Sequence, residues 1–263
     1  MLGDVVGNPG RQAIERIVPE LKRREGIDFI TANTENAAHG FGITPEIVDQ
    51  LQTAGVDLCT GGNHSWKNAK GRAFLTTNPE AVIVPANTPH LPGRKQAHRV
   101  VNGQSIVVVN LLGQVFMKHP EHINSPFQTI QQLLTDELVS QSIFVIDFHA
   151  EATGEKRVLG WKLDGQASLI VGTHTHVQTA DDQIQPGGTG YISDLGMCGA
   201  VESSLGMRID YALRKVANHE DIHLEPAIEY QHLMVQGVLA TIDGVTKKTL
   251  HLQRIDERAQ IPL

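Results

Sequence analysis

Only two cysteines, Cys59 and Cys198, occur in 263 residues, which excludes a disulfide framework and leaves no second pair for a zinc knuckle. A reducing compartment fits, so the cytoplasm is the expected location. No run approaches the roughly 18 consecutive apolar residues of a membrane span, and the opening Met1-Leu-Gly-Asp-Val-Val lacks the basic, then apolar layout of a signal peptide. Positive charge is not in excess either. With 22 Lys and Arg against 29 Asp and Glu, the net charge is −7, which argues against a long nucleic-acid-binding surface. A small phosphorylated ligand is not excluded, because a buried metal site holds an anion whatever the overall charge.

What is present is ordinary globular composition, 40% hydrophobic and 19% charged, with a length that buries a substantial core. Thirteen histidines are the unusual figure. From Ile27 the chain alternates short β-branched runs with amphipathic stretches: Phe29 to Thr31, a helical pattern from Pro45 to Ala54, then Val56 to Thr60. Asn8-Pro9 reads as a helix N-cap with proline at the first helical position, opening a helix through Ile14, Ile17 and Leu21. Val100 to Asn110 around Asn102-Gly103 predicts a hairpin. Pro126 to Leu138 predicts one helix, and Ile143 to Phe148 and Ser168 to Thr173 predict buried strands. A second hairpin is expected around Asp243-Gly244. Without repeats or a linker, residues 1–263 are expected to form a single domain. Mixed parallel and antiparallel signals predict an α/β fold, a four-layer sandwich of two packed mixed sheets flanked by helices.

Five short polar clusters fall just after expected strands: Gly3-Asp4, Glu35-Asn36, Asn63-His64, His149 and His174-Thr175-His176. Strand ends are where α/β proteins assemble ligand sites. Alone, each has a plainer origin. Asp4 could be a turn residue, Glu35-Asn36 a loop with a helix cap, Gly61-Gly62 before Asn63 a sharp turn, and His149 a satisfied core histidine. His174 and His176, at i and i+2 of a strand end, are expected to point both imidazoles to one face, which suggests a metal. Together the clusters offer one Asp, one Glu, two Asn and four His, a donor set suited to first-row divalent ions. One ion does not need so many. Two ions about 3.5 to 4 Å apart share a carboxylate in binuclear hydrolases, and Glu35 is the expected bridge. Neutral asparagine ligands keep such a site electropositive and attractive to phosphate.

The ordered motifs Gly3-Asp4, Glu35-Asn36, Gly62-Asn63-His64, His149 and His174-Thr-His176 resemble those of the calcineurin-like metallophosphoesterase superfamily. The longer stretches Gly3–Arg11, Glu35–Gly40, Gly62–Trp66, Asp147–Thr153 and Val171–Asp181 are most similar to its bacterial YmdB-type branch. That resemblance implies a binuclear centre, iron with manganese or zinc as alternatives, and phosphodiesterase activity on cyclic nucleotides, 2′,3′-cyclic and 3′,5′-cyclic. It implies Asp4, Glu35, Asn36 and His176 around one metal, and Glu35, Asn63, His149 and His174 around the other. His64 would be the proton donor. Arg11 and His39 are expected beside the substrate, and a homo-oligomer is expected.

Two departures from the wider superfamily stand out. Its usual Asp-x-His opening is Asp4-Val5-Val6 in this chain, with Asn36 filling the gap, and Glu35 replaces the usual aspartate. Only three residues precede Asp4, so either translation begins earlier or the first strand is unusually short. Tyr191 to Met197 receives no role from sequence. The rival readings are an amidohydrolase, which places its His-x-His pair early rather than late, and a regulatory protein that binds a nucleotide or metal with little turnover.

Overall fold

In the computed structural model, which describes residues 1–119 and 122–261, strands and helices first alternate. They are β1 (Leu2–Val5), α1 (Gly7–Glu25), β2 (Thr31–Asn33), α2 (Pro45–Thr53), β3 (Leu58–Thr60) and α3 (Ala69–Leu75). Next, β4 (Gln96–Val101) and β5 (Gln104–Leu112) form the expected hairpin. Asn102 and Gly103 both take positive φ, 49° and 77°, as a two-residue primed turn requires. Then come α4 (Pro126–Leu133), α5 (Glu137–Gln141), β6 (Ile143–His149), α6 (Thr153–Lys162) and β7 (Leu169–Thr173). Short strands β8 (Gln183–Ile184), β9 (Gly190–Ile192) and β10 (Met197–Ala200) lead to α7 (Ile209–Val216), and β11 (His232–Ile242) pairs with β12 (Thr249–Gln260) as the second hairpin.

The strands form two six-stranded sheets, β12-β11-β10-β1-β2-β3 and β4-β5-β6-β7-β9-β8. Four neighbouring strands of each run parallel, β10-β1-β2-β3 in the first and β5-β6-β7-β9 in the second, and antiparallel strands complete the edges. Three apolar layers hold the elements together. Ile14, Ile17 and Val18 of α1 pack with Val48 and Leu51 of α2 against the outer face of the first sheet. Ile130, Val139 and Leu159 from α4, α5 and α6 cover the second through Phe144, Ile146 and Phe148. Between the sheets lie Leu58, Val108, Val145, Leu169, Val171 and Val238. The sandwich is therefore helix, sheet, sheet, helix, as its mixed strand signals predict.

Local details differ from the sequence reading in two places. Helix α1 begins at Gly7 with Val6 as its cap and no side-chain capping bond. Asn8 is already inside, and its Oδ1 accepts from Arg11 Nη2 at 3.1 Å instead of capping. The reason is the strand before it: Val6 N–H is held by Cys198 O at 3.0 Å and Gly7 N–H by Asn36 O at 2.9 Å, so tertiary bonds do the work of a cap. Pro126 to Leu138 is two helices, because the Asp136 side chain accepts from Leu138 N–H at 2.9 Å and restarts the turn. Strand β1, four residues long, is nonetheless held on both sides by β10 and β2. Asp4 is fully buried there.

Candidate metal centre

Strand alternation explains how the polar residues meet. Along β6, Ile143 and Val145 face the other sheet, so two-residue periodicity puts Asp147 and His149 on that same inner face. Along β7, Leu169 and Val171 do likewise, followed by Thr173. Leu58 of β3 is followed by Thr60, and Ala32 of β2 faces outward, which turns Asn33 in. The layer between the sheets thus changes from apolar to polar at the C-terminal ends of the parallel strands.

Asp147, fully buried, is the hub of this polar layer. Its carboxylate accepts from Thr173 Oγ1 at 2.7 Å, from Asn33 Nδ2 at 3.2 Å and from Thr60 Oγ1. Thr173 Oγ1 in turn accepts from His149 Nδ1 at 2.9 Å. A proton on Nδ1 leaves the lone pair of His149 on Nε2, and that atom points into the donor cluster. It lies 3.1 Å from Asn63 Oδ1, 3.1 Å from Glu35 Oε1 and 3.0 Å from His174 Nδ1.

The other two imidazoles are fixed in the same manner. His174 Nε2–H donates to the Glu151 carboxylate at 3.1 Å, which leaves Nδ1 turned inward with its lone pair. His176 Nδ1 donates to Leu205 O at 2.9 Å, leaving Nε2 inward, 3.1 Å from the Asn36 amide and 3.7 Å from Asp4 Oδ1. Three histidines therefore turn an inward nitrogen toward the Asp4 and Glu35 carboxylates, His149 and His174 beside Glu35 and His176 beside Asp4, each oriented by an acceptor on its far nitrogen, the arrangement that metal-ligating histidines need. Donor atoms of Glu35, His149 and His174 all lie within 4.8 Å of one another. Asp4 Oδ1 and Glu35 Oε1 are buried without a hydrogen-bond partner among the described residues. Buried carboxylate oxygens left unpaired are costly, and a cation among them removes that cost. The residues fit a metal centre.

Electrostatics point the same way. Burial opposes charging of His149, but Glu35 and Asp4 outweigh it and push that imidazole up to about 9. Burial likewise disfavours the Glu35 carboxylate, yet His149 and His64 hold it far below the usual range. Asp4 is pushed up to about 6 by burial, with His176 and His149 pulling against the shift. His174, buried and beside His149, is pushed down to about 3. Positive charge is favoured where the carboxylates meet, and His149 responds to it most directly.

The His174-Thr175-His176 segment converges for a reason other than strand pleating. Strand β7 stops at Thr173, and His174 and His176 both take positive φ, 100° and 63°. Such backbone costs about 1 to 3 kcal/mol per residue unless its surroundings impose it. They do so through Asp194 and Lys156, a buried ion pair at 2.8 Å. Asp194 Oδ2 accepts from Thr175 N–H at 3.1 Å, Lys156 Nζ donates to Thr173 O at 2.9 Å, and Asp4 Oδ2 accepts from His174 N–H at 3.1 Å. The Tyr191 to Met197 stretch thus contributes the clasp for this loop. Gly62 allows the closest approach, since a Cβ there would meet Glu35 Oε2 at 2.2 Å.

His64 borders the cluster. Its N–H donates to Glu35 Oε2 at 2.7 Å and its Nδ1 lies 2.9 Å from Asn36 Oδ1, with Phe41 packed edge-on at 4.9 Å. Arg11 and His39, expected beside the substrate, lie outside the donor cluster. Arg11 spends its guanidinium on Ala37 O, Gln50 Oε1 and Asn8 Oδ1 at 2.6, 2.9 and 3.1 Å, bracing the 35–40 turn against α1 and α2. His39 is exposed in that turn at φ 53° and makes no hydrogen bond among the described residues.

A family model, that of the YmdB-like proteins, matches residues 1–255. The chain belongs to this family. A 2′,3′-cyclic-nucleotide 2′-phosphodiesterase of Bacillus subtilis (strain 168) is 39% identical to this YmdB-like chain over 255 residues, covering 97% of it and 94% of the relative. A phosphatase from Mycoplasma pneumoniae superposes with a TM-score of 0.91 at 31% identity, over 99% of this chain and 93% of that one. A hypothetical protein from Thermus thermophilus gives 0.86 at 32% identity, over 98% and 97%. The YmdB-like sandwich is a metallophosphoesterase fold.

Proposed function

We propose that this YmdB-like chain is one catalytic domain, a binuclear metal-dependent phosphodiesterase that hydrolyses 2′,3′-cyclic nucleotides. The observation that carries this reading is the set of three imidazoles whose lone pairs converge on two buried, unpaired carboxylate oxygens. The name of the Bacillus subtilis relative supports the substrate class. Asp4, Glu35, Asn36 and His176 would hold one ion and Glu35, Asn63, His149 and His174 the other. When bound, such ions supply Lewis acidity toward a phosphate oxygen and lower the pKa of water toward neutrality.

The protein's own residues do the rest. Glu35 and Asp4 bring negative charge to the centre, while neutral Asn36 and Asn63 add donors without cancelling the attraction for an anion. The Asn36 amide spans His64 Nδ1 and His176 Nε2. Asn36 Oδ1 accepts from His64 Nδ1 at 2.9 Å while its Nδ2 donates to His176 Nε2 at 3.1 Å, so one amide orients both rings. His64, oriented in this way at the edge of the cluster, would deliver a proton to the leaving ribose oxygen, a step worth about 10² to 10⁴ in rate.

Iron as the native metal, action in the cytoplasm, a homo-oligomeric state and turnover of 3′,5′-cyclic nucleotides belong to the same proposal. The test is metal analysis of protein purified without added ions, followed by turnover of bis-p-nitrophenyl phosphate and 2′,3′-cyclic AMP. Close to two equivalents of iron, with hydrolysis lost in Asn63→Ala, is the expected result. A metal-free protein that is folded and active would overturn it, and nucleotide binding without turnover would favour a regulatory role.

A further inference from the structure

Next to the donor cluster opens a cavity of about 520 Å³, within the usual range for small-molecule sites. It is lined by Asn63, His64 and His174, all members or neighbours of the candidate centre, and by Phe116, Lys67 and Lys118. Phe116 is the unusual member. Its side chain is 88% exposed, and its backbone takes φ 62°, a conformation uncommon for any bulky residue. Folding gains little from such a placement, because the ring buries almost no surface.

The loop that presents this ring is tied down. Gly113 N–H donates to His149 O at 2.9 Å, and the Glu155 carboxylate accepts from Gln114 N–H and Val115 N–H at 2.9 and 3.1 Å. One anchor is thus the backbone of a candidate metal ligand, and the other sits in the first turn of α6. An aromatic face is held at a fixed place beside the donor cluster. Two lysines line the same cavity, and Lys67 lies 4.7 Å from the centre of the Phe41 ring that packs on His64.

A planar ring, a cavity of nucleoside size and cations beside a phosphate-binding centre share one matching chemistry. We infer that this cavity takes the nucleoside of the substrate, its base stacked on Phe116, with Lys67 and Lys118 drawing the anion in. The inference rests on the phosphodiesterase reading and adds that the enzyme selects for a base. Stacking on an aromatic side chain tolerates every base, since each has a π face, so the selection is for nucleotides over base-free phosphodiesters and weak among the four bases.

The test compares 3′-AMP with ribose 3-phosphate by titration calorimetry on wild type, Phe116→Ala and Phe116→Tyr. Wild type is expected to prefer 3′-AMP by about tenfold or more, Phe116→Ala to lose that preference, and Phe116→Tyr to keep it. In turnover the same collapse should appear in KM for 2′,3′-cyclic AMP relative to glycerol 1,2-cyclic phosphate. Equal affinity of wild type for the two ligands, or a preference unchanged in Phe116→Ala, overturns the inference. Failure of the phosphodiesterase reading looks different: metal-loaded wild type then hydrolyses neither cyclic phosphate, whatever the calorimetry shows.

Discussion

Adding one methyl group at Gly62 tests the candidate centre at its tightest point. A Cβ there would lie 2.2 Å from Glu35 Oε2, 2.6 Å from Glu35 Cδ and 2.6 Å from His149 Nε2, whereas ordinary contacts begin near 3.4 Å. Relief requires roughly 1 Å of movement by both side chains. His149 cannot give way freely, because it is fully buried and its Nδ1 is pinned to Thr173, itself pinned to Asp147. Glu35 holds the backbone N–H of His64. Misplacing reactive groups by about 1 Å costs on the order of 10² in rate, and overpacking a core costs about 1 to 3 kcal/mol. Gly62→Ala is therefore expected to bind Mn²⁺ more weakly in titration calorimetry, hydrolyse bis-p-nitrophenyl phosphate about 10²-fold more slowly, and melt at lower temperature. Gly154→Ala is the control, because a Cβ at that helical site meets nothing within 4 Å, and a gain of about 0.4 to 1 kcal/mol is expected. Wild-type metal loading and turnover in Gly62→Ala would refute the reasoning that Glu35 and His149 act from these positions.

Three further outcomes follow from the same geometry. His64→Ala should keep its metal and lose about 10² to 10⁴ in turnover; full activity would remove His64 from the mechanism. Lys156→Met leaves Asp194 buried without its cation, so urea denaturation should show a loss of about 3 to 5 kcal/mol, with weaker metal binding because the His174–His176 loop is released. An unchanged midpoint would deny the clasp its role. Cys59 and Cys198 are fully buried, and burial pushes both thiols up to about 12; neither should react with dithionitrobenzoate until denaturant is added, and one thiol titrating in native buffer would contradict this.

Much of the fold was legible because burial and periodicity coincide. Ile143 to Ile146 and Leu169 to Val171 are apolar runs followed by polar residues, and that change of polarity marks both the strand and the site at its end. The Asn102-Gly103 turn was legible because only a few residues accept its φ values. Legibility stopped where tertiary contacts replaced local signals. No side chain caps α1, so Asn8-Pro9 pointed to the wrong start, and Asp136 split a helix that periodicity alone left whole. The two histidines of the late motif do meet, but through positive-φ backbone clasped by Asp194 and Lys156, which i, i+2 spacing cannot reveal. Asp147 and Lys156 had a weak signal that went unused: a charged group amid Phe144-Val-Ile and Phe148, or facing the interior of α6, needs a buried partner. Asn33, Thr60 and Thr173 carried none, since a threonine or asparagine in a strand is unremarkable until its partner is known.

Asp4, Glu35, Asn36 and Asn63 extend from the first sheet, and His149, His174 and His176 from the second. Ions seated among them would act as rivets across the seam between the two sheets, added to the bonds that Asn33 and Thr60 already make to Asp147. Resistance to shear along that seam would then grow with free cation concentration, by about 4 kcal/mol at a thousandfold excess over the dissociation constant. A chelator would loosen the molecule as a whole along with its chemistry, and the supply of metal would set how much intact protein a cell retains.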